Sequence, residues 1–230
     1  HFSQTDEDGL TLEIIKRIVK SENPTFLEFG AGDGLENNTL VLLSIDWKGT
    51  WYGGEKLAFN YTNSEKLKFN RVWIEKENIV QLYRESLLHH KVDEHDVISI
   101  DLDGNDFHIA KQLLEEGAHP KLFICEYNGI FPPSSKWIMK YNSGNNWKGD
   151  HHFGASLSSF VDLFESKGYF LCACNPQTGA NAFFVESNYR ELFKDVPNNI
   201  EEIYVEPCYW VDNKFKHEIT PEFIKSLIEK

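Results

Sequence analysis

The chain has 230 residues, 41% of them hydrophobic, and a formal net charge of -13, which suits one compact domain with a full-sized core. So acidic a chain is drawn neither to nucleic acid nor to an anionic membrane surface, which removes both as main partners. No apolar run approaches the ~18 residues of a membrane span, and no secretory leader is visible.

The chain opens at His1 rather than Met, as expected of an excised piece. The four cysteines, Cys125, Cys172, Cys174 and Cys208, lack zinc-type pairing, so reduced thiols and a cytoplasmic location are expected. The polar start Phe2–Gly9 leads into Leu10–Lys20, where Leu10, Ile14, Ile15, Ile18 and Val19 share one helical face. A helix there would run over a ligand mouth and bring Gln4, Glu7 and Asp8 near it, although acids at a helix start also suit the dipole. Phe26–Gly34 then reads Phe-Leu-Glu-Phe-Gly-Ala-Gly-Asp-Gly. This is a short strand turning on Gly30, Gly32 and Gly34, where the backbone can take positive φ and a ligand can approach main-chain N–H groups. Leu35–Leu43 reads as the start of a helix, with Asn37, Asn38 and Thr39 supplying N-terminal polar groups. Strand, glycine turn and helix form the first unit of a nucleotide-binding α/β sheet. The spacing is acid-x-G-x-G-x-G rather than the G-x-G-x-x-G of a dinucleotide site. Glu28 would repel a pyrophosphate and attract a cationic amino-acid or sulfonium group.

Thr50–Glu55 reads as a second strand, and Glu55 lies about twenty residues past the glycine turn, where an acid hydrogen-bonds ribose hydroxyls in a Rossmann-like sheet. Arg71–Ile74 is expected as a third strand, with Glu77 and Asn78 following where adenine edges are read. Asp96–Ile109 holds a buried parallel strand through Val97, Ile98 and Ile100. Beyond it come Asp101, Asp103, Asn105 and Asp106 within six positions. Carboxylates this close raise one another's pKa unless a cation intervenes, and hard oxygen ligands suit Mg²⁺, Mn²⁺ or Ca²⁺. An EF-hand is excluded, because no Glu follows at the required offset and a strand precedes the acids. Lys111–Glu116 reads as helix and Pro120–Asn128 as a strand ending in Glu126 and Asn128. If those two strands are neighbours, Asp101 and Glu126 project side by side over one crevice.

Residues 129–154 are irregular and rich in Asn, Ser, Gly and aromatics, as in a lid or binding loop. Trp137, Tyr141 and Trp147 could stack on a planar group, and His151 or His152 could serve as general base or metal ligand. A helix within Gly154–Gly168 and an antiparallel pair, Tyr169–Ala173 with Asn181–Val185, close the fold. The extension 187–230 carries a short helix from about Pro221.

The glycine turn resembles motif I of the class I S-adenosylmethionine (SAM) methyltransferases. Further stretches in order resemble a bacterial methyltransferase group of surface-polysaccharide genes, distantly similar to FkbM-type sugar O-methyltransferases. They are Ser3-Gln4, Glu7-Asp8-Gly9, Glu28-Phe29-Gly30-Ala31 with Asp33-Gly34, Asn38-Thr39, Trp47-x-Gly49, Ser99–Asp106, Glu126-Tyr127-Asn128, Gly154–Leu157, Lys167-Gly168-Tyr169 and Asn181–Val185. The resemblance implies one α/β domain over 1–230, with a Rossmann-like, doubly wound, mostly parallel seven-stranded sheet and an antiparallel C-terminal edge. It also implies SAM bound by Gln4, Glu28, Gly30, Gly32, Asn38, Glu55, Glu77 and Asn78, with Asp101 beside the methyl group. Asp103, Asp106, Glu126, Asn128 and His152 then remain for Mg²⁺, Mn²⁺ or the acceptor. That acceptor is expected to be a small sugar, phosphate or phosphoramidate of a bacterial capsule. A nucleotide-sugar oxidoreductase and a non-catalytic carbohydrate-binding module are the other readings these residues allow.

Overall fold

The structure is a computed structural model that describes residues 2–62, 64–208 and 221–229. Seven strands, β1 (Thr25–Phe29), β2 (Lys48–Gly53), β3 (Leu67–Arg71), β4 (Val97–Ile100), β5 (Leu122–Glu126), β6 (Tyr169–Cys174) and β7 (Asn181–Glu186), form one sheet. Its order is β3-β2-β1-β4-β5-β7-β6. The pairs among β1 to β5 are parallel, and β7 runs antiparallel between β5 and β6. This is the doubly wound, seven-stranded α/β architecture the sequence implied. The order reverses between β1 and β4, and ligands of such sheets bind beyond the strand carboxyl ends at that point.

The central strands are buried on both faces because they carry apolar residues at successive positions. Leu27, Phe29, Ile98, Ile100, Phe123 and Cys125 point to one side, against α3 (Ile79–His90), α4 (Asp106–Glu115) and α5 (Leu157–Glu165). Phe26, Val97, Leu122 and Ile124 point to the other, against α1 (Glu7–Ile18), α2 (Leu40–Ser44) and α7 (Pro221–Ile228). Two further short helices, at Ser187–Phe193 and α6 (Ile200–Ile203), lie in the extension. Among the described residues no helix is long and apolar enough to cross a membrane, and all four cysteines are free.

Three expectations shift. The third strand is Leu67–Arg71, not Arg71–Ile74. It is the sheet edge, where only Leu67 is fully buried, so the period-two pattern that continues through Val72 and Ile74 does not fix where pairing stops. The helix after the glycine turn starts only at Leu40, because Asn38 and Thr39 are engaged by Glu28. Ile79–His90, which was not expected as an element, is a two-faced helix burying Ile79, Leu82, Tyr83 and Ser86. Residues 129–154 carry no regular element beyond one bridge between Ile138 and Ala155.

Candidate functional site

The site is built from the carboxyl ends of β1, β4 and β5. After β1, Gly30 has φ +101°, and a Cβ there would fall 1.6 Å from the main-chain oxygen of Asp101. Close strand-to-strand approach therefore requires this glycine. Gly32, at φ +50°, meets nothing within 4 Å. Its backbone borders open space, as a ligand cradle requires.

Glu28 is 1% exposed. Its carboxylate accepts the Asn38 N–H at 3.0 Å, the Thr39 N–H at 3.2 Å and the Thr39 hydroxyl. Thr39 Oγ1 in turn accepts the Trp51 indole N–H at 2.9 Å. The acid of the glycine motif thus fastens the start of α2 to β1 and, through Thr39, to β2. Burial pushes Glu28 up to about 7, against the lowering effect of those hydrogen bonds. Asn38, 4% exposed, also donates to Ser99 Oγ at 3.2 Å.

Beyond β4 and β5 the pairing sets Ile100 opposite Cys125, so Asp101 and Glu126 leave the sheet together, as the sequence suggested. Carboxylate oxygens of Asp101, Asp103 and Glu126 lie within 4.8 Å of one another. Burial first, and then the charges of its neighbours Asp106 and Asp103, hold Asp101 well above the usual carboxylate range. Burial and the charge of Asp101 do the same to Glu126. Burial and Glu55 raise Asp103, which sits in a left-handed turn at φ 50°. Glu126 Oε2 is buried without a hydrogen-bond partner. A cation would satisfy that oxygen and offset the repulsion.

Asp106 and Asn128, expected among the metal ligands, are occupied elsewhere. Asp106 accepts the Leu102 and Gly104 N–H groups at 2.7 and 2.8 Å, closing the turn around Asp103; burial raises it to about 6, against those bonds. Asn128, fully buried, donates to the His151 and Phe153 carbonyls at 2.8 and 2.9 Å and accepts the Ile130 N–H at 3.2 Å. It clamps both ends of the 129–154 loop. Asn78 likewise spends its amide locally, on Glu75 N and Trp73 O. Glu77 is exposed and accepts the Tyr141 hydroxyl at 3.1 Å. Glu55 is exposed at the end of β2.

A cavity of about 470 Å³ opens over the acids, walled by Gln4, Thr5, Trp147, Asp150, His151 and Phe153, with Thr178 and Ala180 from the β6–β7 turn. His151 reaches it; His152 does not line it and instead packs edge-on against Trp137 at 5.4 Å. The loop is tied down by Trp73 to Ser143 O (2.7 Å), Asn105 to Asn142 O (2.8 Å) and Asn145 to Asp103 O (3.0 Å). Sequence reasoning missed Thr5, Phe153, Thr178 and Ala180. For the last two a signal was present, since Asn175–Ala180 joins two antiparallel strands and one of them pairs with β5 at its carboxyl end.

No family model and no curated protein sequence matches this chain. Solved structures similar to it in backbone course include a putative ribosomal RNA methyltransferase from Plasmodium falciparum. That likeness has 12% identity and a TM-score of 0.46, covering 80% of this chain and 96% of the other. Another is the methyltransferase domain of bacterial CtHen1-C, at 15% identity and TM-score 0.46, covering 79% and 97%. A third is a putative S-adenosylmethionine-dependent methyltransferase from Listeria monocytogenes, at 11% identity and TM-score 0.45, covering 80% and 99%.

Proposed function

We propose that this chain is a SAM-dependent O-methyltransferase. Its acceptor is a hydroxyl of a sugar-, phosphate- or phosphoramidate-type small molecule in capsular polysaccharide biosynthesis, and a divalent ion such as Mg²⁺ or Mn²⁺ assists. One observation carries this reading. Asp101 sets its main-chain oxygen against Gly30 while its carboxylate joins Asp103 and Glu126, so the glycine turn and the acid trio adjoin at the sheet's reversal point.

The residues suit the cofactor. The backbone at Gly32 borders open space and Glu55 stands exposed at the end of the neighbouring strand, where a ribose is held in sheets of this kind. Glu28 acts from behind, by fixing the start of α2. Once bound, SAM supplies a methyl group on a sulfonium for in-line displacement. The protein's share is then alignment, exclusion of water and removal of a proton from the acceptor hydroxyl. Asp101, Asp103 and Glu126 would hold a divalent ion that lowers the hydroxyl's pKa. His151, which reaches the cavity, takes the proton as general base. The 129–154 loop, tied down at Ser143, Asn142 and Asn145, shields the crevice.

Calorimetric titration with SAM and S-adenosylhomocysteine, with Mn²⁺ and again with EDTA, tests this. Micromolar binding is expected. Absence of binding under every condition would overturn the methyltransferase reading, and binding and turnover indifferent to EDTA would remove the ion.

A further inference from the structure

The cavity is uniform in charge. Asp101, Asp103, Glu126 and Asp150 line it, and among the described residues no Lys or Arg does. A single divalent ion that ionised the whole trio would still bring two positive charges to four carboxylates and leave the wall negative. An acceptor that presented a phosphate here would find no guanidinium or ammonium, and its one counter-charge would be an ion already outnumbered by the carboxylates around it.

The lining also holds aromatic rings. Trp147 is 51% exposed although it faces the cavity. Its ring is nonetheless held: the indole N–H donates to the Asp150 carbonyl at 2.9 Å, and Phe153 meets it edge-on at 6.2 Å and 69°. A half-exposed indole held at its N–H and by this single ring contact still has an open π face for a ligand. That face is electron-rich and attracts the weakly positive C–H edges of a saturated ring or a cation, and not an anion.

Resting on the methyltransferase reading, we infer that the acceptor enters as an uncharged, hydroxyl-bearing ring laid on Trp147, its hydroxyls turned to Asp101, Asp103 and Glu126, and that the cavity rejects a phosphorylated face. Trp147 is a specificity-determining residue in this arrangement. Of the acceptor types above, the neutral sugar is selected and the phosphate-bearing entering face is excluded.

The test is saturation-transfer NMR with Mg²⁺ present. It uses methyl α-glucopyranoside, methyl α-galactopyranoside and methyl α-mannopyranoside, each against its 6-phosphate, on the wild type, Trp147→Ala and Trp147→Phe. Binding of at least one neutral ring is expected, with its phosphate about tenfold weaker or more. Affinity should fall about tenfold in W147A and return largely in W147F, as one aromatic contact provides. A urea midpoint unchanged in W147A shows that the fold is intact. Phosphates binding as well as the neutral rings, W147A binding like the wild type, or no neutral ring binding at all would each overturn the inference. S-adenosylhomocysteine is titrated in parallel, and its failure to bind would sink the methyltransferase reading instead.

Discussion

Asn128→Asp separates two roles that the same position could have. As a metal ligand, Asn128 would be improved by a carboxylate, a harder oxygen donor. As the loop clamp seen here it would be ruined. Its amide N–H₂ faces the carbonyl oxygens of His151 and Phe153 at 2.8 and 2.9 Å with no exposure to solvent, so an Asp oxygen would point at two other oxygens. To remain there the carboxyl must be protonated at neutral pH, about three units above its ordinary pKa, which costs about 4 kcal/mol. One of the two hydrogen bonds is lost besides, for about 1 kcal/mol more. The expected total, about 5 kcal/mol, is comparable with the whole stability of many domains. The chain would therefore lose global stability or release the loop. Urea unfolding followed by far-UV circular dichroism reads the first outcome. Amide exchange at Ile130 and Asn128, whose N–H groups bond to Asn128 Oδ1 and Ala155 O, reads the second. A wild-type midpoint, unchanged exchange and tighter Mn²⁺ binding in N128D would refute the clamp and restore Asn128 as a ligand.

Gly30→Ala should fail to fold stably, since its Cβ collides with the Asp101 carbonyl, whereas Gly32→Ala should cost only about 1 kcal/mol and weaken SAM binding; thermal melts and calorimetry of the pair distinguish packing from ligand contact. Glu126→Gln removes a buried group whose folded pKa lies above its unfolded one, so the unfolded chain ionises first and stability is lost as pH rises past the unfolded value. The variant should melt higher than wild type at pH 8 while losing Mn²⁺ binding, and a lower melt would contradict this account. His95, 1% exposed between Thr25 Oγ1 and Ser86 Oγ, is held neutral by burial at a pKa of about 3. With an unfolded value near 6.5, the unfolded chain binds the extra proton first, so stability falls as pH drops below about 6.5. Between pH 7.5 and 5 that loss is about 2 kcal/mol. Glu28, with its folded value raised to about 7, acts in the opposite direction over that window. Urea midpoints of His95→Gln and wild type at both pH values isolate the His95 share, and parallel curves would refute it.

The parts of this fold that showed in the sequence are those in which burial and turn chemistry agree. β1, β4 and β5 are apolar at consecutive positions, and Gly30 and Asp101 mark where they stop. The adjacency of Asp101 and Glu126 followed from sheet order alone. β3 did not show, because an edge strand with one fully buried residue leaves its register loose. α3 was missed although Ile79, Leu82, Tyr83 and Ser86 stand at helical spacing. Asp106 and Asn128 looked like ligands because residue type announces what a side chain can bind, not what already binds it. Their partners are backbone groups whose placement depends on a turn and a loop. Trp147 was one of three loop aromatics the sequence offered for stacking, but that it and Phe153 line the cavity depends on how the 129–154 loop is pinned to Trp73, Asn105 and Asp103.

The chain of donors from Trp51 through Thr39 to Glu28 has a consequence for recombination and engineering. The three side chains lie on β2, at the start of α2 and on β1, yet Thr39 has one proton to give and gives it to Glu28 while accepting from Trp51. Changing any one of them alters what the other two can do, so single replacements at these positions will not add. A chimaera between related chains with its crossover between residues 39 and 51 would divide this unit. One placed after Gly53 would carry it over whole, together with the glycine turn that it braces.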